Sequence, residues 1–280
     1  MRRLPPLVVG TIVGAALELG AFAAQTSDFN KQRVTFQHGS LTLVGFLFHP
    51  VGPGPFPAII WNHGSEKNPG TGPDFDAVAQ AFVPAGFVVF APMRRGHGLS
   101  QGEYIHDTIE RERQTRGQLA ANRTMVHEME TNQLDDQLAG LEYLKGLPYV
   151  DTNRLAVTGC SYGGIETLLA AERGAGFKAA VALSPAAESW DGNPLLRERL
   201  IEAVRKITIP VFIIHPAKDA SLSPGKTLAA EEERLGRPHE LKIFPATGPE
   251  AEQRHCFGGA QGTHVWASDA IAFLQKILKF

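Results

Sequence analysis

Leu155-Ala156-Val157-Thr158-Gly159-Cys160-Ser161-Tyr162-Gly163-Gly164-Ile165-Glu166 is the stretch on which the fold turns. The apolar run ending at Thr158 predicts a short buried strand, and the residues from Ile165 onward read as a helix. Between them stands Gly-x-Ser-x-Gly, with Ser161 at its centre. Small residues two positions either side of a serine let a strand enter a helix through a tight, strained turn without a side-chain clash. The hydroxyl then projects above the end of the strand, and the first amides of the helix face any negative charge that develops there. The pentapeptide alone arises by chance. Set between a strand and a helix it carries weight.

The same alternation extends outward in both directions. Arg33–His38 and Leu41–His49, joined by Gly39-Ser40, predict an opening antiparallel hairpin. Phe56–Trp61, Gly86–Pro92, Arg154–Thr158, Lys178–Leu183 and Ile209–His215 are short apolar runs, as expected of strands buried on both faces. Glu240–Phe244 is a late strand. Helical patterns lie between or after them, at Asp74–Pro84, Gly164–Glu172, Leu195–Lys206, Ser223–Leu235 and Val265–Phe280. This order predicts an α/β fold: a mostly parallel central sheet with helices on both faces, in one domain over 24–280.

Tyr104–Gly146 departs from the rhythm. Leu134, Leu138, Leu141 and Leu144 mark a crossover helix in its second half. The first half, 105–130, is rich in charge and poor in apolar residues. One helix over the whole stretch would be about 60 Å long, so a break is expected near Glu130–Asn132. The first half reads as a solvated surface helix, with a helical cap beside the site as the alternative.

Composition removes several function classes. Across 280 residues, 27 Lys+Arg face 29 Asp+Glu, which leaves no basic excess for nucleic acid. Hydrophobic residues at 43% suffice for a full core. Two cysteines exclude a disulfide-dense scaffold, and the ten histidines are scattered, so neither metal nor cofactor is implied. At the N-terminus Arg2-Arg3 precede an apolar run, Leu4–Leu17, too short to span a bilayer. Ala21-Phe22-Ala23 follows. Charged start, apolar middle and small-residue exit predict a signal peptide over 1–23 and a secreted or periplasmic protein. The alternative is an uncleaved extension on a cytoplasmic protein.

A serine needs a base, and the base an orienting carboxylate. In folds carrying this turn the order is serine, acid, histidine. Asp219, just after the Ile209–His215 strand, is the candidate acid, with Asp191 as rival. His255, in the loop ahead of Cys256-Phe257-Gly258-Gly259, is the candidate base, with His264 as rival. The oxyanion would be held by the amides of Tyr162 and, from the loop after Phe56–Trp61, of Ser65. His63, Arg95 and Trp190 are candidate pocket residues. For His63 a structural hydrogen bond within its loop is the preferred reading, and for Arg94-Arg95 a loop-bracing salt bridge. Cys160 and Cys256 flank Ser161 and His255. Neighbouring residues need not point at each other, so two buried free thiols are expected, with a disulfide as the alternative in an exported protein.

At these motifs the sequence resembles the α/β-hydrolase superfamily, and within it the dienelactone hydrolase-like group. The residues that carry the resemblance are His63-Gly64, Arg95-Gly96-His97-Gly98-x-Ser100, the turn with its doubled glycine, Asp219, and His255 with Phe257. Trp266 and Asp269 fit the end of such chains. True dienelactone hydrolases carry cysteine where this chain has Ser161, so the lactone substrate is not inherited. The resemblance implies a serine hydrolase acting on a small-molecule carboxylic ester, without cofactor or nucleic acid. A prolyl-oligopeptidase-like peptidase and a non-catalytic ligand-binding relative are the alternatives. No propeller region precedes the catalytic unit, which counts against the oligopeptidase reading.

Overall fold

The computed structural model describes residues 29–280 and Met1. Apart from Met1, the leader expected over 1–23 lies outside the described residues. Eight strands form one sheet in the order β1-β2-β4-β3-β5-β6-β7-β8. The strands are β1 (Phe29–His38), β2 (Leu41–Pro50), β3 (Phe56–Asn62), β4 (Val88–Met93), β5 (Val150–Cys160), β6 (Ala179–Leu183), β7 (Val211–Pro216) and β8 (His239–Phe244). β1 pairs antiparallel with β2, and β2 antiparallel with β4. All other pairings are parallel. Every residue of β4, β6 and β7 is buried, which explains why those strands read as continuous apolar runs.

Helices cover both faces. α1 (Asp74–Phe82) and α8 (Thr263–Leu278) lie on one side, where Trp61 of β3 stacks on Trp266 of α8. The other side carries α4 (Leu134–Lys145), α5 (Tyr162–Arg173), α6 (Pro194–Lys206) and α7 (Ser223–Arg234). Among the described residues no helix is long and apolar enough to cross a membrane.

The long charged stretch forms α2 (Ile105–Arg116) and α3 (Gln118–Glu128), followed by a π-helical turn at Met129–Gln133 that runs on into α4. The α-helical run is interrupted near residues 130–132, as expected, by this π turn, but the chain turns more sharply at Gly117. Gly117 has φ 85°, which ends α2 and turns the chain into α3. Residues 129–133 stay helical because a π turn absorbs the irregularity without a change of backbone region.

Parallel register brings the C-terminal ends of the strands to one edge. Asn62 pairs with Gly159, Cys160 with Leu183, and Pro216 with Phe244. The loops that follow β3, β5, β6, β7 and β8 therefore converge, and open α/β sheets place their sites at this edge.

Candidate active site

Ser161 stands between β5 and α5 with φ 60° and ψ −118°, a region that L-residues other than glycine rarely occupy. The end of β3 packs against this turn so closely that only glycine fits. A Cβ on Gly163 would lie 2.0 Å from the Asn62 carbonyl oxygen, and one on Gly159 2.6 Å from it. The turn is held by Ser161 N–H donating to the Leu183 carbonyl at 3.0 Å and by Ile165 N–H donating back to Ser161.

Three loops bring their side chains to this serine. Ser161 Oγ lies 2.8 Å from His255 Nε2. His255 Nδ1 lies 2.6 Å from Asp219 Oδ1. The second carboxylate oxygen, Oδ2, lies 2.8 Å from Nδ1 of His215, the penultimate residue of β7. Burial alone would raise the Asp219 pKa, but hydrogen bonds from His215, His255 and Ser184 outweigh it and hold the carboxyl well below the usual range. Asp219 is thus ionised, so His255 carries its proton on Nδ1 and donates it to Oδ1. Its Nε2 lone pair then faces the serine hydroxyl. Burial depresses the imidazole of His255, yet the hydrogen bond and charge of Asp219 and the charge of Glu188 raise its pKa on balance.

His215 was not among the sequence candidates. Its ring is fully buried, and Gly225 of α7 packs on it, where a Cβ would lie 2.6 Å away. The rivals lie elsewhere. Asp191 is exposed in the turn before α6. His264 is exposed at the start of α8, against the Gln261 carbonyl and Glu252.

Ser65 and Tyr162 both border the space around Ser161. The Ser65 amide is aimed by an indirect device. Arg94, fully buried after β4, donates from Nη2 to the carbonyls of Gly64 at 2.7 Å and His63 at 3.0 Å. The Gly64–Ser65 peptide is planar and trans. A Gly64 carbonyl turned toward Arg94 therefore turns the Ser65 N–H the opposite way. Gln133, in the π turn, accepts from Arg94 Nε at 3.3 Å and fixes the guanidinium in turn.

Two cavities meet at Ser161. One, of about 330 Å³, runs along the His255 side and is bordered by Trp61, Trp266, Glu66, Asp74 and Glu188. The other, of about 240 Å³, lies on the Tyr162 side, under His106 and Ile109 of α2 and Met125 of α3. His63, Arg95 and Trp190 line neither cavity, which corrects the pocket option for all three, while His63 and Arg95 take the structural roles preferred for them. His63 is buried in its own loop, where Nδ1–H donates to the Gly64 carbonyl and Nε2 accepts from Arg94 N–H. Burial, with the charge of Arg94, holds its pKa well below the usual imidazole range. Arg95 is drawn away by Asp136 and Asn132, at 2.7–2.8 Å. Trp190 is 2% exposed and packs in the core under α6. The expected free thiols are also corrected. Cys160 and Cys256 form a disulfide with Cα atoms 5.9 Å apart. Among the described residues no three potential metal ligands cluster.

Comparison with solved structures gives close overlap over most of the chain. The acylaminoacyl peptidase of Pyrococcus horikoshii superposes with a TM-score of 0.67 at 20% identity, over 91% of this chain and 43% of that one. The Pyrococcus furiosus esterase Pf2001 gives 0.66 at 18% identity, over 98% and 99% of the two chains. Est1E of Butyrivibrio proteoclasticus, solved with ferulic acid, gives 0.65 at 19% identity, over 88% and 100%. The fold is that of the α/β-hydrolase superfamily. Residues 120–192 match the prolyl oligopeptidase family. In sequence, the chain is 29% identical over 222 residues to the polyketide transferase grgF of Penicillium sp, covering 74% of this chain and 66% of that one. The chain thus spans less than half of the acylaminoacyl peptidase and less than two thirds of the transferase. The chain order Ser161, Asp219, His255 and the strand-to-helix turn that carries the serine follow the arrangement in which this fold presents a serine, an acid and a histidine.

Proposed function

We propose that this protein is a serine hydrolase of carboxylic esters, of the dienelactone hydrolase-like type. The observation that carries the reading is the relay from Asp219 through His255 to Ser161, at 2.6 and 2.8 Å. Ser161 Oγ attacks the ester carbonyl carbon while its proton passes to His255 Nε2. The oxyanion is taken by the amides of Tyr162 and Ser65. His255 then returns the proton to the alcohol oxygen as the C–O bond breaks. Water, deprotonated by the same imidazole, attacks the acyl-enzyme and frees the acid. Because His255 must reach the departing oxygen, the alcohol occupies the cavity that His255 borders. The acyl chain takes the one beside Tyr162, where Ile109, Met125 and Ile165 offer apolar wall. In this reading α2 and α3 form the cap.

Likeness to two esterases over nearly their whole length supports the ester assignment. The match of residues 120–192 favours a second reading, a prolyl-oligopeptidase-like peptidase. Matched ester and amide substrates with a common acyl group separate the two. Faster ester turnover that Ser161→Ala abolishes is the expected result; preferred amide cleavage would give the peptidase reading precedence. We further propose export from the cell, on the charged start, apolar run and small-residue exit of the first 23 residues. The disulfide supports it, since such bonds persist in oxidising compartments.

A further inference from the structure

The Cys160–Cys256 bridge ties the residue before the serine to the residue after the base, across 96 positions of sequence. What it holds is an unfavourable piece of backbone. Cys256, Phe257, Gly258 and Gly259 have φ of 52°, 56°, 69° and 71°, four residues of positive φ in a row of which two are not glycine. Such a run persists only where its surroundings over-determine it. Its other fastenings lie further on. Phe257 is fully buried against Phe244, and Ala260 N–H donates to Asp74 Oδ1 at 2.7 Å. At Cys256 itself a long hydrogen bond, 3.4 Å, runs from its N–H to Ser184 Oγ. Both cysteines also border the cavity on the His255 side, so the bridge forms part of the wall that faces substrate.

We propose that this disulfide is a positioning element for the base, and that its reduction turns hydrolysis off while the fold persists. The inference rests on the hydrolase reading above. A dithiol such as dithiothreitol supplies two electrons and two protons to the S–S bond, giving two cysteine thiols and a cyclic disulfide. The loop stays docked through Phe257 and Asp74, but the residue joined to His255 loses its covalent hold. A shift of about 1 Å in a catalytic group costs about 10²-fold in turnover. Because the bridge lines the cavity, a molecule bound there shields it from the reductant.

The test uses the full protein, oxidised and after dithiothreitol, with thiols counted by alkylation and mass spectrometry. Expected are two new thiols, an unchanged far-ultraviolet circular dichroism spectrum and a cooperative thermal transition. Turnover should fall about 10²-fold with KM little moved, fluorophosphonate labelling of Ser161 should slow in step, and reoxidation should restore both. A reversible boronic acid bound at Ser161 should slow reduction. The double variant Cys160→Ala, Cys256→Ala should behave as the reduced protein does. Full thiol release with unchanged kcat and labelling would overturn the proposal. So would loss of cooperative unfolding in both the reduced protein and the double variant, since the bridge would then hold the whole fold. Labelling of the oxidised protein is the control: its absence would count against the hydrolase reading, not against the role of the bridge.

Discussion

Glu166 sits on α5 with no exposed surface and, among the described residues, no hydrogen-bond partner on either carboxyl oxygen. Burial pushes its pKa from 4.5 to about 8, against the pull of the Arg94 charge. Between those values the folded chain keeps a proton that the unfolded chain has released, so stability falls as pH rises through this window. Each pH unit is worth about 1.4 kcal/mol, which makes the loss between pH 5 and pH 7 about 2–3 kcal/mol. Glu166→Gln keeps the shape and removes the titration. Urea unfolding of both proteins at pH 5 and pH 7 gives a difference of differences in which packing effects and all other titrations cancel. The gain of the variant over the parent should grow by about 2–3 kcal/mol from the lower to the higher pH. Parallel stability curves would refute the reasoning and mean that Glu166 is ionised and compensated in the fold.

Catalysis leans the other way on the pH scale. His255 works as the neutral imidazole, so kcat/KM should rise with pH through its elevated pKa. Glu188 Oε2, 3.9 Å from His255 Nε2, contributes to that elevation. Glu188→Gln should move the acid limb of the kcat/KM profile to lower pH, less so at high salt because the carboxylate is largely exposed; an unmoved limb would contradict this. Arg94→Met frees the Gly64 carbonyl to turn and should lower kcat about 10²–10³-fold, as expected for loss of one oxyanion donor, with a smaller change in KM. A KM effect alone would place Arg94 in substrate binding instead.

The parts of this molecule that were legible in the sequence are those fixed by local rules. Strands buried on both faces show as apolar runs, and the turn at Ser161 shows because steric limits at Gly159 and Gly163 leave little choice of residue. Asp219 and His255 were legible through chain order and position after a strand. Side-chain direction was not. Cys160 and Cys256 were placed as neighbours by their flanking residues, but adjacency does not fix where a sulfur points. His63, Arg95 and Trp190 stand close to the site in sequence, yet Gly64, Asp136 and the core under α6 claim their side chains. Trp61, Trp266 and Glu188, which border the cavity, come from three separate loops or elements, and only the packed fold brings them together. His215 does carry a signal: a histidine at the end of an otherwise apolar strand, four residues before the acid, needs a partner for its buried ring nitrogen.

The central claim is that Ser161 is activated by His255. Fluorophosphonate labelling of the purified protein, with the modified peptide mapped by mass spectrometry, tests it most directly. The account predicts label on Ser161, lost in His255→Ala and kept in His264→Ala. Label that survives His255→Ala at the parental rate, or no label on a folded and monodisperse sample, would contradict it.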